Sequence, residues 1–100
     1  MNNILRMSVV AILVLACTET ALADAAAGKA KSAICMACHG MNGVSNNDIW
    51  PNLAGQKKGY LVNQIKAFRD GGRVDLMMAP MVKSLSDQDI DDLAEYYSKL

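Results

Sequence analysis

The chain has 100 residues, with ten Lys or Arg, ten Asp or Glu and one His, and so no formal net charge. That balance excludes the cationic excess expected of a nucleic-acid binder. Three cysteines in so short a chain direct attention to their chemistry.

The first stretch, "MNNILRMSVVAILVLACTETALADA", carries one positive charge, Arg6, and then an apolar run over residues 7–17. It closes on Ala21-Leu22-Ala23, a small-x-small cleavage signal. This order of parts is that of a secretory signal peptide, cut after Ala23. The apolar run falls short of the roughly 20 residues needed to cross a bilayer. A second reading uses Cys17: "VLAC" resembles a lipoprotein signal, with Val14 in the place usually held by leucine. Residues 1–23 are therefore expected to be removed, and residues 24–100 to form one domain of 77 residues. No stable membrane insertion is expected after cleavage. The mature stretch keeps nine Lys or Arg and nine Asp or Glu.

Three helical segments follow in chain order. The first covers about residues 25–37, with Asp24 as N-cap. Ala27, Ala30, Ala33 and Ile34 form a small-residue face suited to close helix packing. The second is "GYLVNQIKAFRDGG", where Leu61, Ile65 and Phe68 recur at helical spacing and Gly71 and Gly72 supply a stop. The third is "LSDQDIDDLAEYYSKL". Ser86 and Asp89 form a capping-box variant, and Leu85 and Ile90 stand at the staple positions. Ile90, Leu93, Ala94, Tyr97 and Leu100 form its buried stripe. "GMNGVSNNDIWPNLAGQ" and "RVDLMMAPMVKS" read as loops, and no run alternates cleanly enough for a strand. The fold class is all-α. Lys57, Lys58, Lys66, Arg69 and Arg73 lie mid-chain, and Asp87, Asp89, Asp91, Asp92 and Glu95 near the end. They read as two solvated helix faces, or more sharply as a dipolar surface that orients the protein on a partner.

"CMACHG", residues 35–40, holds the remaining cysteines and the single histidine. Thiol–disulfide exchange needs a βαβ setting that the helical pattern does not offer. A structural zinc site needs four ligands, and beyond Cys35, Cys38 and His39 there is no further Cys or His in the expected mature stretch, residues 24–100. C-x-x-C-H is the attachment signature of c-type haem. Two thiols three positions apart span the porphyrin vinyl groups and form thioethers, and the next residue turns its imidazole to the iron. A small domain whose apolar residues supply little core is completed by such a filler. The opposite iron position suits a methionine thioether, as in electron-carrying cytochromes. Met77, Met78 and Met81 are the candidates. Met36 and Met41 lie too close to the attachment to reach round.

The segments "GKAKSAICMACHGMNG", "PNLAGQKKGYLVNQIKAFRDGGR", "MMAPM" and "LSDQDIDDLAEYYSKL" together resemble a small bacterial class I c-type cytochrome of the c-553 type. They are also similar to one domain of the two-haem cytochromes c. The resemblance covers nearly all of residues 24–100. It implies a class I cytochrome c fold, three to five short helices around one haem c held covalently by Cys35 and Cys38. It implies His39 as proximal iron ligand and Met78 as distal ligand, with Met81 and then Met77 as the next choices. It implies a carbonyl at Pro51 that accepts from the other nitrogen of His39, and a crossing of the first and last helices. The implied function is periplasmic electron transfer between respiratory redox proteins, without enzymatic chemistry. The alternative is a haem-based sensor or peroxidase-like enzyme whose distal methionine leaves the iron.

Overall fold

The computed structural model describes residues 10–14 and 22–100. Most of the signal-peptide reading, and Cys17 with it, lies outside the described residues. Among them, no helix is long and apolar enough to cross a membrane.

Five helices follow in chain order: α1 (Ala25–Lys31), α2 (Ala33–His39), α3 (Lys58–Asp70), α4 (Met78–Val82) and α5 (Asp87–Ser98). The described residues contain no strand. α1 packs along α5, α5 against α3, and α4 against α3.

The segment expected as one helix over 25–37 is two. Ser32 interrupts it, because its N–H and its hydroxyl both donate to the Lys29 carbonyl, at 3.2 and 2.7 Å. Cys35 N–H then donates to the Ser32 carbonyl at 2.9 Å. These three-residue steps tighten the backbone and re-aim the second helix. α2 consequently runs through His39, so the whole motif is helical.

The close contact between the first and last helices is made by a residue other than the expected alanines. Ala30, Ala33 and Ile34 are exposed. Gly28 and Ser32 are buried instead. A Cβ on Gly28 would stand 1.9 Å from the Asp92 carbonyl oxygen, so only glycine permits this approach.

α5 has the expected start. Asp89 N–H donates to Ser86 Oγ at 3.0 Å, and Ser86 N–H donates to Asp89 Oδ2 at 3.0 Å. Its buried stripe is Ile90, Leu93, Ala94 and Tyr97. Leu100 falls beyond the helix end and is exposed. Leu61 of α3 joins Leu93, Ala94 and Tyr97 in the core, with Leu85 packed at its edge. Gly71 closes α3 as expected.

The segment 73–84 is not simply a loop. Asp75 accepts from the N–H groups of Met77 and Met78 at 2.8 and 2.9 Å and starts α4 there. Pro80 sits in the first turn, where a missing N–H is no loss.

The two charged stretches lie largely at the surface and are partly paired across the helices. Lys58 meets Glu95 at 2.9 Å and Arg69 meets Asp87 at 2.8 Å. Lys31 of α1 reaches both Asp89 and Asp92, at 2.8 and 2.7 Å. Asp92 is only 3% exposed. This local neutralisation weakens any dipole drawn from sequence order.

Candidate functional site

α2 ends at Gly40, whose φ of 88° turns the chain sharply. A Cβ there would lie 1.9 Å from the Val44 carbonyl oxygen. The loop then folds back, because the Gly43 carbonyl accepts from Leu53 N–H at 2.8 Å and Ala54 N–H at 3.0 Å. That return brings Pro51 over the motif. The His39 Nδ1 lies 2.7 Å from the Pro51 carbonyl oxygen. A carbonyl only accepts, so Nδ1 carries the proton and Nε2 the lone pair. His39 itself is buried.

A cavity of about 560 Å³ opens beside this histidine. Its wall takes Cys35, Cys38 and His39 from α2, Ile65 and Phe68 from α3, Met78, Met81 and Val82 from α4, and Leu93 and Tyr97 from α5. Met77, Trp50 and Pro51 are among the residues that join it from the loops. All three candidate methionines therefore share one cavity with the motif. Met78 is half-buried, whereas Met77 and Met81 are about half exposed, at 55% and 51%. Met36 and Met41 are not in the wall.

Cys35 and Cys38 are free and half-buried. Burial pushes the Cys35 thiol up from its ordinary value, against a smaller opposing effect of Tyr97. The Tyr97 hydroxyl is buried beside Cys35 and Ser32 without a hydrogen bond of good geometry to either. Burial first, and Cys35 second, push the Tyr97 hydroxyl well above its usual range.

These features fit an iron porphyrin. The volume is that of a site for a cofactor-sized ligand. The wall is largely apolar, and its donor set of two thiols, one imidazole and thioethers suits haem. Tyr97, placed in the buried stripe from sequence, also contributes an orphaned hydroxyl to that wall.

The family model for cytochrome c matches residues 25–100. The chain belongs to the cytochrome c family. Cytochrome c-554(548) of Halomonas halodenitrificans is 51% identical over 78 residues, covering 75% of this chain and 94% of that protein. Cytochrome c4 of Pseudomonas aeruginosa is 44% identical over 98 residues, covering 98% of this chain and 48% of that protein. The solved structure of Acidithiobacillus ferrooxidans cytochrome c4 superposes with a TM-score of 0.74 at 33% identity. That match covers 83% of this chain and 53% of the other. The chain thus spans nearly all of the Halomonas relative and about half the length of the cytochromes c4. As a cytochrome c it has the class I fold and carries covalently bound haem c. Its cytochrome c4 homologues are electron carriers.

Two features of this cytochrome c lie outside the sequence motifs. Asp75 organises the methionine segment, and an Asp two and three residues before the donor N–H groups is the signal that marks it. Asp92 anchors α1, and nothing local distinguishes it from its acidic neighbours.

Proposed function

We propose that residues 24–100 form a periplasmic mono-haem electron carrier, exported by a leader over residues 1–23. The observation that carries this reading is the single cavity shared by the C-x-x-C-H motif and the Met77–Met81 segment. Haem c supplies an iron that takes up and releases one electron without bond chemistry on a substrate. Cys35 and Cys38 anchor the group covalently. His39 offers Nε2 to the iron, and Pro51 holds the ring through Nδ1–H, which fixes the tautomer and raises ligand basicity. Met78 would supply a thioether to the iron, a ligand that favours a higher reduction potential. It is the least exposed of the three methionines, and both its N–H and that of Met77 are tied to Asp75. The apolar wall excludes water from the ligands.

A peroxidase-like site needs polar groups near the open iron position, whereas a sensor needs only a methionine that leaves the iron. Two polar side chains of the wall, Gln64 and Arg73, are engaged with each other at 2.9 Å, and Arg73 stacks on Phe68 at 4.5 Å. The partners are redox proteins that donate and accept single electrons, either periplasmic or membrane-bound.

The spectrum of the oxidised, exported protein tests the ligand set. Wild type, Met77→Ala and Met81→Ala should show the weak far-red band of a thioether on ferric iron, and Met78→Ala should lose it. Loss in one of the other two variants instead moves the ligand to that methionine. Absence of the band in wild type contradicts methionine ligation altogether.

A further inference from the structure

We propose that cleavage after Ala23 builds a structural ion pair: the new α-ammonium of Asp24 seats on the buried carboxylate of Asp92. The proposal rests on the processing step read from the leader. In that step water adds to the Ala23 carbonyl carbon and the Ala23–Asp24 C–N bond breaks. Ala23 departs as a carboxylate, and Asp24 nitrogen takes both water protons to become –NH₃⁺. It is a hydrolysis with no redox change, and a leader peptidase accelerates it.

Asp24 N–H already donates to Asp92 Oδ1 at 2.9 Å. Asp92 also accepts from Lys31 Nζ at 2.7 Å and from Gln88 Nε2 at 2.9 Å. The close approach at Gly28 brings the α1 backbone against that of α5 at this same residue. The contacts that start α1 use atoms that survive the cut. The Asp24 side chain accepts from Ala26 N–H at 2.8 Å and Ala27 N–H at 3.2 Å, and the Asp24 carbonyl accepts from Gly28 N–H at 2.9 Å. Upstream of the cut, the Leu22 carbonyl accepts from Gln88 at 3.2 Å.

The charges are unbalanced without the cut. The carboxylates of Asp89 and Asp92 share one ammonium, Lys31. Cleavage places a second cation among them. That cation stands at the positive end of the α1 dipole, an unfavourable place unless a carboxylate faces it. Asp92 faces it, and Asp89 lies across Lys31.

The amine therefore holds its proton more tightly in the folded protein than at its ordinary value of about 7.7–8.0. Its stabilisation is complete below that value and is lost as pH rises through the raised folded one. Lys31 is itself raised above 10.5, mainly by its bonds to Asp89 and Asp92, so it titrates in a higher window.

The test compares two haem-loaded proteins, one beginning at Asp24 and one retaining Ala23 as an extra first residue. Mass spectrometry of protein exported by its own leader gives the native terminus. Thermal unfolding from pH 6 to 10 then reads the pair. The Asp24 protein should lose stability across the amine titration, on the order of tenfold in its unfolding constant for a tenfold change in proton affinity. The Ala23-retaining protein should not, and Asp92→Asn should remove the difference. NMR titration of the ¹⁵N-labelled α-amine gives a reading independent of how well the variant folds. An amine at or below its ordinary value, or equal pH profiles in the two proteins, overturns the pair. A native terminus elsewhere overturns the processing step instead.

Discussion

His39 is held at its Nδ1 by the Pro51 carbonyl, and that contact depends on the fold of the loop between them. The proposed roles of Cys35, Cys38 and His39 rest on a spacing that covalent haem attachment requires, so they can be read from six letters of sequence. The family resemblance already ranks Met78 above Met81 and Met77, and the lower exposure of Met78 supports the same proposed order. Gly28 and Asp92 are not legible in this way. A glycine in an alanine-rich helix gives no local hint that another backbone lies against it, and Asp92 looks like Asp91. The close approach makes a direct prediction. Gly28→Ala should destabilise the protein by about 1–3 kcal/mol, the usual cost of forcing extra atoms into a packed contact. Thermal melting measures it, and an unchanged midpoint contradicts the packing described.

Local chemistry decides which elements show in a sequence. α5 has its own start signal in Ser86 and Asp89 and a clear apolar stripe, so its course is readable to within its last turn. α1 and α2 read as one helix in sequence because the break at Ser32 comes from hydrogen bonds that compete with a continuous ladder. α4 reads as loop because Pro80 and three methionines give no period, and its start depends on Asp75. Asp75 ties down two N–H groups of the methionine segment, one of them on Met78 itself. Asp75→Ala should weaken that segment by about 1 kcal/mol, the usual cost of a lost helix cap. The far-red band should then disappear at a lower denaturant concentration than in wild type, ahead of global unfolding. Equal midpoints for the band in both proteins contradict the role given to Asp75.

At the scale of the molecule, α1 and α3 pack on α5 and pair with it through Lys31, Lys58 and Arg69, beside a cavity that the apolar side chains do not fill. A domain of this size has little core of its own, and the haem completes it. The charge pattern is the least legible feature at this scale. Lys58 and Glu95, or Arg69 and Asp87, lie far apart in sequence, and helix packing alone brings them together. The protein's proposed task follows from the enclosure: both iron ligands stay in place while one electron passes.

Addition of carbon monoxide to the reduced protein at neutral pH tests that enclosure most directly. A closed carrier with His39 and Met78 on the iron leaves the spectrum unchanged. Rapid conversion to the carbon monoxide adduct would show a distal position that opens to small molecules, and would contradict the electron-carrier account.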